Sequence, residues 1–185
     1  MADVLLPEFQ AFPKISRRNR TVIITEKIDG TNGIVHISKD GQTITAGSRN
    51  RWVTPEKDNA GFAAWVAANA EDLRKLGPGY HYGEWWGQGI QRRYGMTEKR
   101  FSLFNVGRWS DPEIRPACCH CVPVLGHGFE KDGIVDICMQ RLITEGSFAA
   151  PGFMDPEGIV VFHTASGQLQ KVTIKGDEKP KGSKE

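Results

Sequence analysis

The chain has 185 residues, 39% of them hydrophobic, enough to bury one sizeable core and too few for two full domains. Twenty-four Lys and Arg stand against 22 Asp and Glu, a net charge of +2, so there is no global basic field, only local clusters at Arg17-Arg18-Asn19-Arg20, Arg92-Arg93 and Lys99-Arg100. No apolar run reaches the length of a bilayer span, and Met1 to Pro7 lack the basic and apolar regions of a signal peptide, so a soluble, cytoplasmic protein with no membrane partner is expected.

Thr21 to Ile24 reads as a buried strand and Gly33 to Ile37 as its return, a hairpin-like unit with Lys27 at its mouth. Asp29-Gly30 would supply the positive backbone angles of the turn. Thr43 to Arg51 looks like a further strand ending in polar residues. A helix is then predicted to open at Pro55 and Glu56, to carry Phe62, Trp65, Val66, Leu73 and Leu76 on one stripe, and to close at Gly77-Pro78-Gly79. Tyr80 to Trp86 and Arg100 to Val106 are aromatic, strand-like segments on either side of a Gly-rich loop.

Of the four cysteines, Cys118, Cys119 and Cys121 crowd around His120, which with His127 raises a zinc reading. Adjacent residues of a strand point to opposite faces and the paired spacing of zinc ribbons is missing, so reduced cysteines flanking a strand over Val122 to Leu125 are expected instead. A second helix is predicted with Asp132 as cap, Ile134, Val135, Cys138 and Leu142 on one face and Gly146 at its end. Strands follow over Gly158 to Phe162 and Leu169 to Ile174, joined by a turn at Ala165-Ser166-Gly167. From Gly176 onward the chain is charged and Pro/Gly-containing, a segment expected to be a mobile tail. Many strands with two inserted helices predict an α+β domain of antiparallel β-sheets packed with helices; no Walker-type or dinucleotide glycine-rich loop is present.

Four places carry charge where chemistry could use it. Lys27 ends a strand at a tight turn, placed to be a nucleophile or simply solvated. Glu157 begins the face of Ile159 and Val161, so its carboxylate wants a metal ion, a lysine or solvent, and Gly158 beside it would let another backbone approach closely. Lys171, Thr173 and Lys175 alternate with Val172 and Ile174, a polar stripe able to hold a phosphate or to face water. Glu84, set between Gly83 and Trp85-Trp86, can accept bonds from ribose hydroxyls or from a neighbouring backbone.

Taken in order, Lys27-Ile28-Asp29-Gly30, Ser48-Arg49, Tyr82-Gly83-Glu84, Phe101-Ser102-Leu103-Phe104, Glu157-Gly158-Ile159-Val160 and Lys171 with Lys175 resemble the ordered motifs of the covalent nucleotidyltransferases. Within that superfamily, Lys-Ile-Asp-Gly-Thr-Asn-Gly and Gly83 to Ile90 look most like the ATP-dependent RNA ligases, particularly small phage and bacterial members that act in RNA repair. The resemblance spans roughly Pro13 to Lys175. It implies the ligase-type, ATP-grasp-like adenylyltransferase domain over residues 1 to 175, with no room after it for a C-terminal OB-fold.

The resemblance also implies a three-step reaction. Lys27 attacks the α-phosphorus of ATP, AMP passes to a 5′-phosphate end, and a 3′-hydroxyl then seals the strand. A lysine must lose its proton to attack, which neighbouring cations promote. By the same resemblance Phe104 stacks on adenine and Glu84 binds ribose hydroxyls. Glu26, Ile28, Asn32 and Arg49 approach the nucleotide, and Glu157 acts at a Mg²⁺ or Mn²⁺ ion. Lys171 and Lys175 neutralise charge on the α-phosphate. RNA ends are the implied partner, with DNA ends as an alternative and grip supplied by this surface or an accessory protein. Arg92 and Arg93 are the candidates for polynucleotide phosphates.

Three departures from the family pattern stand out. The closing lysines are usually one residue apart; here Thr173 follows Lys171, and Lys175 would lie about 13 Å along the strand. Asn105 stands where relatives often carry an acid, and Arg51 competes with Arg49. The rival readings are a DNA nick ligase, a capping-type guanylyltransferase, a non-catalytic nucleotide or nucleic-acid module, and a zinc module built on Cys118 to Cys121.

Overall fold

The computed structural model describes residues 8–176; the expectations for Met1 to Pro7 and for the tail from residue 177 on lie outside the described residues. Ten strands form two sheets with helices packed on their outer faces. The four-stranded sheet has the order β10-β9-β1-β8, built from β1 (Thr21–Lys27), β8 (Val124–Phe129), β9 (Gly158–His163) and β10 (Gln168–Thr173). The six-stranded sheet has the order β4-β3-β2-β5-β6-β7, from β2 (Thr31–Ile37), β3 (Ile44–Gly47), β4 (Trp52–Val53), β5 (Gly79–Gly87), β6 (Lys99–Leu103) and β7 (Cys119–Cys121). Pairing is antiparallel throughout except for β6 with β7.

The first two strands are not a hairpin. β1 pairs with β8 and β9, whereas β2 pairs with β3 and β5, so the three residues Ile28, Asp29 and Gly30 carry the chain from one sheet to the other. Gly30 does not have the positive φ expected of it. Its glycine identity answers a close approach instead, because a Cβ there would come within 2.5 Å of the Trp85 carbonyl and 2.7 Å of the Trp86 Cβ.

Each sheet has its own core. Phe62, Val66, Leu73 and Leu76 from α1 (Phe62–Ala68), α2 (Ala70–Leu73) and the 3₁₀ turn after it pack on Val35, Ile37, Trp85 and Phe101 of the six-stranded sheet. Cys138 and Leu142 of α4 (Ile134–Glu145) pack on Val22, Ile24, Ile159 and Val161 of the four-stranded sheet. A third cluster of Ile28, Trp86, Tyr94 and Val122 sits beneath the crossover, bracing it where the sheets meet.

The helix ends differ from expectation for local reasons. The first helix starts at Phe62, not at Pro55, because the Asp58 carboxylate accepts the Ala63 and Ala64 N–H groups, while Thr54 bridges to Lys57 in the preceding turn. α4 begins after Gly133 in a left-handed conformation, and Asp132 belongs to a short 3₁₀ turn rather than serving as cap. Phe104 to Val106 leave β6, and a one-turn helix α3 (Val106–Trp109) follows, with Asn105 accepting the Arg108 N–H. Cys118 precedes β7, so its sulfur lies 3.9 Å from that of Cys119 instead of on the opposite face.

Candidate functional site

Alternation along β1 sorts its side chains. Val22, Ile24 and Glu26 turn to the α4 core, while Ile23, Thr25 and Lys27 face a cleft of about 990 Å³ between the two sheets. The opposite wall is the face of β2 and β5 that carries Asn32, Tyr80, Tyr82 and Glu84, and the segment Phe104 to Trp109 closes one end.

Lys27 stands at the inner end of this cleft, level with Gly158 of β9 and through it with Thr173 of β10. Its Nζ donates to Glu157 Oε2 at 2.6 Å, with the lysine side chain 20% and the glutamate side chain 7% exposed. Of the partners its carboxylate wanted, Glu157 finds a lysine. It does not begin the apolar face of Ile159 and Val161, since the strand starts after it and its carboxylate turns to the Lys27 ammonium. Gly158 permits this, as a Cβ there would run into the Val172 carbonyl of β10.

The crossover is held from three sides. The Asp29 N–H donates to the Tyr94 hydroxyl at 2.8 Å, and the Gly30 N–H donates to Glu84 Oε1 at 3.0 Å. Arg92 bridges Asp29 at 3.1 Å and Asp155 at 2.7 Å. Gln91, Arg93 and Tyr94 all have positive φ, 45°, 60° and 50°, so the loop accepts strain to bring Arg92 and Tyr94 onto the turn. Arg92, read from sequence as a polynucleotide contact, therefore has its charge committed inside the protein, while Arg93 stays exposed.

Two buried carboxylates behave differently. Glu84 is 8% exposed; burial pushes its carboxyl up to about 7 against the opposing pull of Lys27 and the Gly30 N–H, and its second oxygen accepts from Asn32 at 3.5 Å. Glu26 is 1% exposed and is also raised by burial, with hydrogen bonds from Ser147, Ala149 and Phe148 opposing the shift. Those three donors take both Glu26 oxygens, so the group read as nucleotide-binding anchors the 147–149 turn. Ile28 borders the cleft but buries its side chain against Trp86 and Tyr94.

The remaining candidates divide. Phe104, 41% exposed, and Lys171 line the cleft. Lys175 lies beyond the end of β10 with its ammonium on Asp155 at 2.7 Å, which removes it from the stripe that alternation suggested. Arg51 donates to the carbonyls of Lys57 and Asp58, and Arg49 is exposed in the turn between β3 and β4. Reading the sequence missed Arg108, which stands at the cleft end over the Trp109 ring, and the bracing pair Tyr94 and Asp155. The non-glycine turn from Gln91 to Tyr94 carried no periodic signal to reveal them.

Among the described residues no three His, Cys, Asp or Glu side chains converge as a metal-holding group. The carboxylates at the cleft are the lysine-bound Glu157 and Glu84, a sparse set that fits only an ion carried largely by water and phosphate, the habit of Mg²⁺.

Two sheets meet beside a lysine–carboxylate pair, the arrangement that the sequence resemblance to covalent nucleotidyltransferases leads one to expect. The family model for RNA ligase matches residues 20–175, and the chain belongs to that family. Solved structures of the RNA ligase of Naegleria gruberi share the fold: one variant with ATP and Mn at TM-score 0.61 and 18% identity, over 84% of this chain and 49% of that one. An apo variant matches at 0.60 and 18%, over 91% and 56%, and one with AMP and Mn at 0.61 and 18%, over 91% and 57%. The chain thus spans about half the length of these structures. Comparison with curated protein sequences returns no match.

Proposed function

We propose that this chain is an ATP-dependent RNA ligase that works through a covalent lysyl-AMP, with residues up to Lys175 forming its adenylation domain. The Lys27–Glu157 pair at the inner end of the inter-sheet cleft, in a chain of the RNA ligase family, carries this reading. The Naegleria structures with ATP, AMP and Mn support ATP as substrate and Mg²⁺ or Mn²⁺ as the ion.

The neutral Lys27 amine attacks the α-phosphorus; the P–N bond forms as the bond to pyrophosphate breaks, and pyrophosphate leaves with the electron pair. A 5′-phosphate oxygen then attacks the same phosphorus and returns the amine to Lys27. A 3′-hydroxyl finally attacks the activated 5′-phosphate and AMP departs. Glu157 orients Lys27 before attack and is the carboxylate that would hold the divalent ion, whose charge offsets that of the phosphates. Glu84 and Asn32 would take the ribose, Phe104 the adenine face, and Lys171 the α-phosphate, with Arg49 at the rim. Lys171 lies one pleat, about 7 Å, from the level of Lys27, within reach of a phosphate between the strands. Thr173, level with Lys27, occupies the place of the second lysine. A cytoplasmic setting suits the four free thiols, and phage or bacterial repair ligases are the kin that the motifs favour.

The test is incubation with α-labelled ATP and Mg²⁺ or Mn²⁺, followed by denaturing electrophoresis. Acid-labile label that disappears in Lys27→Ala is the expected result. Undiminished labelling of Lys27→Ala would sink the assignment. No label on either chain, with unadenylylated protein verified by mass, would favour a nucleotide-binding module, a reading to which the diversion of Lys175 onto Asp155 lends weight.

A further inference from the structure

The cleft wall formed by β2 and β5 does not end at the cleft. Beyond Glu84, the same face carries Tyr82 and Tyr80 at successive pleats, His36 opposite Tyr80, and Trp52 at the edge of the sheet. Tyr80 and Tyr82 have ring centroids 6.2 Å apart and planes within 13° of parallel; Trp52 and Tyr80 are 6.3 Å apart and within 26°. His36 fills the angle between them, 4.4 Å from Tyr80 and 6.0 Å from Trp52. The indole of Trp52 lies over Gly47, where a Cβ would come 3.0 Å from its ring.

These rings are held yet open to solvent: Trp52 is 50%, Tyr80 54% and Tyr82 53% exposed. The aromatic core of Phe62, Trp65, Trp85 and Phe101 lies on the opposite face under α1, so the outer rings serve no packing need of this domain. A large exposed apolar patch of this kind marks a binding surface.

We infer that Tyr82, Tyr80, His36 and Trp52 form a stacking track for the bases of a single-stranded polynucleotide whose end lies in the cleft. The track begins at the cleft wall, since Tyr80 and Tyr82 border both, so a strand leaving the reacting phosphate runs onto it without a gap. Neighbouring charge is complementary to a phosphate backbone. Exposed Arg49 precedes Trp52 in the chain, and exposed Arg108, which donates to the Leu76 carbonyl, lies beside Gly77 just before β5. On the face of β2 to β5, Glu84 at the cleft is the only carboxylate among the described residues. Separate, near-parallel π faces bordered by cations are what sequence-tolerant single-strand binding uses, whereas a duplex keeps its bases stacked inward and offers such rings nothing.

The inference rests on the ligase reading, and the experiment separates the two. Fluorescence anisotropy of a labelled, 5′-phosphorylated single-stranded RNA would be measured with the wild-type chain, Trp52→Ala, Tyr80→Ala, Trp52→Phe and Tyr80→Phe, beside a blunt duplex of equal length. Each alanine variant is expected to weaken single-strand affinity about tenfold, with duplex affinity unmoved and the phenylalanine variants near wild type. Alanine variants that bind single strands as tightly as wild type would overturn the track, as would equal losses for single strand and duplex. Sedimentation showing a wild-type dimer that Trp52→Ala dissolves would assign the face to a second copy and overturn it too. The lysyl-AMP assay on the unaltered chain reports independently: an adduct with no alanine effect removes the track and keeps the ligase, and alanine-sensitive single-strand binding with no adduct does the reverse.

Discussion

Glu84 shows at residue scale how burial and function are set against one another. Its carboxyl is held near 7 by burial, above the ordinary 4.5, so the folded chain binds this proton more tightly than the unfolded chain does. The resulting stabilisation is complete below pH 4.5 and fades as pH rises through 7. At about 1.4 kcal/mol per unit, the gap sets an upper bound of about 3 kcal/mol. Glu84→Gln, neutral throughout, should therefore gain up to that amount on wild type between pH 4.5 and pH 8 in urea unfolding. A stability difference that does not move with pH would show that Glu84 ionises as readily folded as unfolded. If Glu84 takes the ribose as proposed, its ionised form is the stronger acceptor, so ATP affinity of wild type should rise between pH 6 and pH 8 by more than that of Glu84→Gln. The sequence placed Glu84 in an aromatic setting and allowed a neighbouring backbone as its partner, but that the donor is the N–H of Gly30 depends on which strands pair.

Among the elements, the crossover from β1 to β2 decides most. Apolar alternation in Thr21 to Ile24 and Gly33 to Ile37 made both strands legible, since local patterning reports which face of a strand is buried. Pairing partners are non-local: β1 joins β8 and β9 about a hundred or more residues later in the chain, and nothing within the segment encodes that. A tight turn between two apolar strands was therefore read as a hairpin when it passes between sheets. Lys175 shows the same limit, because alternation placed it on a strand that ends at Thr173 and could not foresee Asp155. The crossover's support yields a prediction. Tyr94 is 3% exposed and its hydroxyl is the acceptor of the Asp29 N–H. Tyr94→Phe should cost about 1–3 kcal/mol in stability, the penalty of leaving a partly buried donor unpaired, and should slow lysyl-AMP formation by loosening the turn that follows Lys27. Denaturant midpoints and single-turnover labelling measure the two, and a stable variant with an undiminished rate would show that the turn stands without this bond.

For the molecule as a whole, two sheets with separate cores meet along the cleft, at the braced crossover and at the short β7–β8 connection, where the Val122 N–H donates to Leu103 and the Glu26 N–H to Pro123, so a ligand in the cleft is in contact with both halves of the fold. Lys27 and Lys171 belong to the four-stranded sheet, Glu84 and Asn32 to the six-stranded one, and Phe104 stands just past the end of β6. A nucleotide held by all of these stabilises the folded state by mass action, about 2.7 kcal/mol at a hundred times its dissociation constant. Because its contacts are divided, the protection should be divided as well. Hydrogen exchange with saturating ATP is expected to slow amides of β1, β9 and β10 together with those of β2 and β5. The helices α1 and α4, which cover the outer faces of the two cores, should change least. Protection confined to one sheet would mean that the nucleotide lies on a wall rather than between walls, and Lys27 and Glu84 would then not share a ligand.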